Sequence, residues 1–450
     1  MNYQDCVEYL IQLGHELRTV KFGLEPTSTI LAALGHPEQQ YATAIVSGTN
    51  GKGSTSAMLS SILEAAGYRT GLYTSPHLVR LNERIRLNKT EISDEEFARA
   101  FTEVREVVTT LLSANTIPRE ASFFEYVSVT ALLYFARAKA QIVVLEVGMG
   151  GRLDATNTTN PAVAIVTNVT FDHMEYLGST IPAIAWEKAG VIKPKCRVVS
   201  SVEDTEAVEV IRQRCAELEA DLLETSRFSR LSNLQSRNGR FTFDLVLDDQ
   251  RFTSLTVPLA GRFQVTNAVT ALTAAWRLAQ VGYAISRAAM VSGLRLARWP
   301  GRLETFAERP LVLLDGAHNP AAAHAMAAFV KEQLTGRTIR LVYASMRDKA
   351  IGEISEILFP LASEVFLTRP DQPRAATAQE ILQAAKCPPA KFIIEPDPAR
   401  ALQAAYENSG PDDVVLACGS LFLVGALKQA VAEGKLELGH PHYAAKAVDP

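Results

Sequence analysis

Short continuous apolar runs alternate with amphipathic stretches along most of this chain. TAIVS at 43–47 precedes a helical pattern over 53–66, and TGLYT follows at 70–74. Residues 94–113 and 123–138 read as helices. The first opens on SDEEF, where Ser93 and Glu96 have the spacing of a capping box, each satisfying a backbone N–H left open at the helix start. QIVVLEV (141–147) and AVAIVTN (162–168) are apolar on successive residues, as strands covered on both faces are. Such strands separated by helices predict a parallel sheet with helices packed on it. Between TSPHL and the 94–113 helix, VRLNERIRLN reads as a long basic loop carrying Arg80, Arg84 and Arg86.

From 226 to 258 the period changes to two. FTFDLVLDDQRFTSLTV alternates around an Asp-Asp turn and predicts a small antiparallel excursion. Helical patterns resume at 263–281 and 284–294. After a break at RLARWPG (295–301), the alternation restarts: LVLLD (311–315), a helix near 320–334, IRLVYAS (339–345), EVFLT (364–368), KFIIEP (391–396) and DVVLACG (413–419). The fold class expected is α/β with two doubly wound domains. The N-terminal one, residues 1–296, is P-loop ATPase-like and carries the antiparallel excursion. The smaller C-terminal one, 299–435, is Rossmann-like, and 436–450 is a tail.

Composition narrows the function classes. The 450 residues are 47% hydrophobic and 21% charged, ordinary for globular domains. Net charge is 45 − 49 = −4, which gives no footing for nucleic acid or an acidic membrane as partner. The start lacks a basic region before an apolar run, and no apolar stretch approaches the roughly 18 residues that span a bilayer. Five scattered cysteines without C-x-x-C read as free thiols in a reducing compartment. A cytoplasmic enzyme is expected.

The candidate chemistry begins at GTNGKGS (48–54). A standard P-loop, G-x-x-x-x-G-K-[ST], places a hydroxyl directly after lysine. Here Gly53 follows Lys52 and the hydroxyl comes at Ser54, with Thr55 behind it. The stretch still follows a strand and opens a helix, as a phosphate loop requires. Its glycines let backbone N–H groups turn inward, and Lys52 adds a mobile charge. A plain glycine-rich turn is the other reading of the same residues. Glu146 ends a buried strand, where a carboxylate is costly without a cation or hydrogen bonds. Asp172 and His173 end the next. Glu146, His173 and a loop hydroxyl suit Mg²⁺, which prefers oxygen; His173 also reads as a helix cap.

Taken together, GTNGKGS, TSPHL, LEVGMGGRLDATN, a DH followed by LG, EKAG (187–190), GRLE (301–304), DGAHNP (315–320) and CGS (418–420) resemble, in that order, the folylpolyglutamate synthase/dihydrofolate synthase family of the Mur ligase superfamily. The match runs from about residue 20 to 430. The resemblance implies ATP-dependent joining of L-glutamate to a carboxylate on dihydropteroate or a reduced folate, through an acyl phosphate. A bifunctional enzyme is expected, acting as a monomer. A single-activity folylpolyglutamate synthase, a Mur-type peptide ligase and a non-catalytic nucleotide-binding protein are the alternatives. The Mur-type peptide ligases generally carry a further domain before the loop, whereas 47 residues precede Gly48 here.

By the same resemblance, Gly48, Thr49, Asn50, Gly51, Lys52, Gly53 and Ser54 cradle the triphosphate. Ser54, Ser75, Glu146 and His173 bind Mg²⁺, with Lys52, Lys188 and His173 at the chemistry. Lys188 in EKAG falls where the family often carries a carbamylated lysine; an ordinary helix lysine paired with an acid is the plain reading. Asn267 touches adenine, and Arg302, Asp315 and His318 hold phosphates and ribose. The pterin falls to Ser122, Phe123, Phe124 and Glu125 in SFFEY, with Leu153, Asp154 and Ala155; Phe124 also reads as helix core. TVKFGL (19–24) resembles a folate-side segment. Asp348, Lys349 and Arg374 take the incoming glutamate. Two departures stand out: Ala350 where many relatives have a second aspartate, and Arg262-Phe263-Gln264 where many have a His-Gln pair.

Overall fold

A computed structural model describes residues 1–14, 23–237, 239–386 and 391–438. Most of TVKFGL, Cys387 and the tail from 439 onward lie outside the described residues. The described residues divide into two compact units, one drawn from 1–235, 242–258 and 264–298, the other from 236–241, 259–263 and 299–438.

The first unit is built on eight strands: β1 (Ala42–Ser47), β2 (Thr70–Tyr73), β3 (Ile85–Leu87), β4 (Thr90–Glu91), β5 (Ile142–Glu146), β6 (Val163–Val166), β7 (Arg197–Ser200) and β8 (Asp221–Glu224). Their order is β4-β3-β2-β5-β1-β6-β7-β8. From β2 to β8 every pairing is parallel. The central strands are buried along nearly their whole length, which is why they lack polar alternation. The predicted basic loop is only partly a loop. Its second half forms β3, antiparallel to β2, with β4 closing the edge. Arg84 is almost fully buried rather than solvated.

Helices start where local chemistry dictates. Ser93 and Glu96 form the expected reciprocal box at helix Asp94–Ser113. Helix Lys52–Ala65, which carries the glycine loop at its start, packs closely on helix Arg287–Leu296. Ser61 Oγ donates to the Gly293 carbonyl at 2.7 Å. A Cβ on Gly293 would stand 2.7 Å from the Ser61 carbonyl and 2.8 Å from the Ile62 nitrogen, both backbone. Gly293→Ala is therefore expected to destabilise by about 1–3 kcal/mol through overpacking, despite the roughly 1 kcal/mol that alanine gains over glycine in a helix. Urea titration measures it, and a more stable variant would show that the helices part at no cost.

Strands β9 (Ser229–Arg237), β10 (Arg240–Leu247) and β11 (Gln250–Val257) form the antiparallel excursion, in the order β11-β10-β9. Asp248, at φ 54°, takes the left-handed turn position that aspartate tolerates. The second unit holds β12 (Glu304–Glu308), β13 (Leu311–Leu314), β14 (Ile339–Tyr343), β15 (Glu364–Leu367), β16 (Phe392–Ile394) and β17 (Val414–Cys418). Their order is β12-β13-β17-β14-β15-β16, parallel except for the β12–β13 pair. No helix among the described residues is long and apolar enough to cross a membrane. Cys6, Cys196, Cys215 and Cys418 are free and buried.

Candidate active site

Register sets the stage in the first unit. Val46 pairs with Glu146, Leu145 with Tyr73 and Ser47 with Val166, so β1, β2, β5 and β6 end at one edge of the sheet. The segments that leave those four ends carry the glycine loop, Ser75, Glu146 and the Asp172-His173 pair. This is the carboxyl edge where open α/β sheets bind ligands.

The loop leaves β1 through Gly48 and Gly51, at φ 146° and 83°. A side chain at Gly48 would run into Thr167, and one at Gly51 into Asn267. The N–H groups of Thr49 and Asn50 both donate to Asn168 Oδ1, at 3.2 and 2.7 Å. Thr167 Oγ1 donates to the Asn50 carbonyl at 2.7 Å. Thr49 Oγ1 donates to the Thr170 carbonyl and accepts from the Thr170 N–H, each at 3.1 Å. The turn is thus strapped to the residues after β6. No side chain caps helix Lys52–Ala65, which leaves its first N–H groups and positive dipole end for an anion. Lys52 Nζ folds over the loop and donates to the Gly48 and Thr49 carbonyls at 3.0 and 3.1 Å.

Glu146 is 5% exposed and its Oε2 accepts from the Ser75 N–H at 3.2 Å. Ser54, buried, accepts at Oγ from Gln264 Nε2 at 3.2 Å. Thr55 is fully buried and its hydroxyl has no hydrogen-bond partner. His173 sits at φ 50° as the N-cap residue of the short helix Met174–Leu177, without a side-chain cap bond. Its N–H donates to Asp172 Oδ1 at 2.9 Å. Among the described residues no three His, Cys, Asp or Glu side chains converge. A cation held by Glu146, His173, Ser54 and Ser75 would thus have to complete its shell with water or phosphate oxygen, as Mg²⁺ commonly does.

Lys188, buried near the end of helix Ile181–Ala189, is a strongly perturbed base. Burial, then the neighbouring Lys52 ammonium, lower its pKa from 10.5 to about 7, with Asp172 opposing. His77 of TSPHL is held neutral, near 3, by burial and by the Arg84 guanidinium, whose Nε donates to its Nδ1 at 2.8 Å.

The SFFEY segment opens helix Phe123–Arg137. Ser122 and Glu125 form its capping box. The Glu125 carboxylate also takes both arms of Arg119, at 2.7 and 2.9 Å. Asp154 accepts from the N–H groups of Gly148, Met149 and Thr156 and from Thr156 Oγ1; burial raises its pKa against those donors. These three polar side chains are already engaged in building the segment. The aromatic rings offer the surface: Phe124 is part-exposed, edge-on to Tyr73 at 6.3 Å, and Phe123 lies under Arg84 at 5.4 Å. Asn267 is likewise engaged, donating from Nδ2 to Gln264 Oε1 at 2.9 Å.

In the second unit Asp315 is buried and accepts from the N–H groups of Leu303 and Ala317 at 2.8 and 2.7 Å. Burial raises its pKa, against the Arg302 charge. His318 Nδ1 donates to the Gly316 carbonyl at 2.7 Å. Asp348 and Arg374 form an ion pair at 3.0 Å, and the Lys349 N–H donates to the Met346 carbonyl. Sequence reasoning missed Thr167, Asn168, Thr170 and Gln264. The only signal for the first three was polar residues directly after an apolar run.

Two family models match the chain: the Mur ligase middle domain over residues 46–275 and the Mur ligase glutamate ligase domain over 301–421. A dihydrofolate synthase/folylpolyglutamate synthase from Bacillus subtilis is 33% identical over 416 residues, which cover 91% of this chain and 96% of that one. Escherichia coli FolC in complex with DHPP and ADP superposes with a TM-score of 0.86 at 30% identity, over 97% of this chain and 99% of that one. A bifunctional folylpolyglutamate synthase/dihydrofolate synthase with Mn, AMPPNP and L-glutamate bound gives 0.82 at 30% identity, over 96% and 98%.

Proposed function

This chain belongs to the folylpolyglutamate synthase/dihydrofolate synthase family of the Mur ligases, and on that premise we propose how its residues divide the work. It is an ATP-dependent carboxylate–amine ligase that joins L-glutamate to dihydropteroate and to reduced folates. A carboxylate is a poor electrophile. Its oxygen takes the γ-phosphoryl group of ATP, giving an acyl phosphate and ADP. The glutamate amine then attacks the acyl carbon, loses a proton, and expels phosphate. The protein's part is alignment, charge neutralisation and exclusion of water.

The observation that carries this reading is the uncapped helix start behind a glycine loop, with Lys52 folded over it and Glu146 at the adjoining strand end. Residues 48–54 receive the triphosphate there, and Lys52 swings from its own carbonyls to the β/γ-phosphates. Ser54, Ser75, Glu146 and His173 hold the divalent cation, whose contribution when bound is to neutralise phosphate charge. Phe123, Phe124, Leu153 and Ala155 supply the pterin surface, while Ser122, Glu125 and Asp154 shape it. Asn267, Arg302, Asp315 and His318 serve the nucleotide, and Asp348, Lys349 and Arg374 the incoming glutamate. Lys188 carries a carbamate in the working enzyme.

The test is ADP release from the purified protein with Mg²⁺ and L-glutamate, given dihydropteroate in one assay and tetrahydrofolate in another. Glutamate-dependent release is expected with both. Release with tetrahydrofolate alone would reduce the enzyme to a folylpolyglutamate synthase, and release with neither would overturn the reading.

A further inference from the structure

Nothing in the assigned chemistry uses Gln264. It is fully buried on the first turn of helix Phe263–Gln280. A buried primary amide is costly unless both ends are satisfied. Gln264 Nε2 donates to Ser54 Oγ at 3.2 Å, and its Oε1 accepts from Asn267 Nδ2 at 2.9 Å. Asn267 lies three residues on, on the same helix face. Its amide nitrogen can only donate, so the Gln264 carbonyl must face it and the Gln264 NH₂ must face Ser54. The orientation of one amide thereby dictates the other. At its far end Asn267 abuts Gly51, where a side chain would collide with its amide oxygen.

The two amides therefore brace both ends of the loop's first helical turn, Gly51 and Ser54. Ser54 Oγ has two lone pairs and one proton. Gln264 takes one lone pair, which fixes the hydroxyl rotor and leaves the other lone pair for a ligand. We propose that Gln264 is a positioning residue for metal-bound nucleotide: it presets the Ser54 hydroxyl for a divalent cation, with Asn267 setting the amide. The inference rests on the reading of Ser54 as a cation ligand given above.

Its test is binding of a non-hydrolysable ATP analogue to the full chain, by calorimetry across a Mg²⁺ titration and again in chelator. Gln264→Met keeps the length and removes both the donor to Ser54 and the acceptor for Asn267. It is expected to raise the Mg²⁺ midpoint about tenfold, the worth of one such hydrogen bond, with metal-free binding falling no more than about threefold through the released Asn267 amide. Ser54→Ala is expected to raise the midpoint at least as far. Gln264→Met added to Ser54→Ala should then change it less than about twofold, because both act through one hydroxyl. Should Gln264→Met not fold, Gln264→Asn, too short to reach both partners, is expected to raise the midpoint at least about threefold. An unchanged midpoint, equal loss of metal-free binding, or additive effects in the double variant would overturn the proposal. If Ser54→Ala itself leaves the midpoint unchanged, the reading of Ser54 fails first. If Ser54→Ala shifts it and the Gln264 variant does not, only the role of Gln264 falls.

Discussion

Glu146→Ala is expected to lower turnover with either pterin acceptor by about a thousandfold or more, a barrier increase of roughly 4 kcal/mol. The residue ends β5 with its carboxylate almost wholly out of water, beside the glycine loop. A buried carboxylate is an expense for folding unless a cation or strong donors meet it. The backbone N–H of Ser75 is one such donor, and a divalent cation is the other partner proposed. Stability should therefore be nearly unchanged in the alanine variant, or slightly raised, as a thermal melt would record. Glu146→Gln separates the two roles. Its amide oxygen can still accept from the Ser75 N–H but contributes no charge. If Glu146 served only to hold Ser75, the glutamine variant would work. If it holds a cation, both variants fail and both lose Mg²⁺-dependent nucleotide affinity. Near-wild-type ADP release by Glu146→Gln would overturn the cation assignment.

What the sequence disclosed followed from how local the cause was. The helix at 94–113 was legible to its ends, because S-x-x-E and an amphipathic pattern both lie within it. Strands β5 and β6 were legible because burial on both faces leaves no polar alternation. The same S-x-x-E pattern recurs at Ser122 and Glu125, where it reads as part of a substrate segment. The structure uses it as a second capping box, reinforced by Arg119. Local chemistry there was visible but overshadowed by the resemblance of SFFEY. Strand β3 was hidden for another reason. Three residues are too few for a period, and Arg84 reads as a surface charge although it is enclosed with His77 and Phe123. The braces of the phosphate loop could not be paired with it from sequence, polar though the residues after β6 are. Asn168 is 118 positions from Asn50 and Gln264 is 210 from Ser54. Nothing in a residue's own neighbourhood signals a partner at that separation.

Lys188 links the chemistry to stability, and its removal should move the two in opposite directions. Its folded pKa of about 7 lies below the ordinary 10.5, first through burial and then through Lys52. Between those values the unfolded chain binds more protons at this position than the folded one, so stability rises with pH across that window. The penalty for the buried ammonium is complete below about pH 7 and gone above 10.5. Lys188→Met should accordingly be more stable than wild type by a few kcal/mol at most, on the order set by the shift. The gain should be largest below pH 7 and vanish toward pH 10.5 in urea titrations run without carbon dioxide. Activity should fall about a hundredfold or more, the scale of losing a charge set against the transferring phosphoryl group. The depressed pKa also favours the modification. A neutral amine nitrogen attacks carbon dioxide and sheds one proton, leaving a carbamate whose negative charge attracts Lys52 where the ammonium repelled it. Wild-type enzyme depleted of carbon dioxide should therefore regain rate on adding bicarbonate, while Lys188→Met should not respond. A bicarbonate-insensitive wild type would remove the carbamate, and a pH-independent stability difference would remove the buried, readily neutralised amine on which it depends.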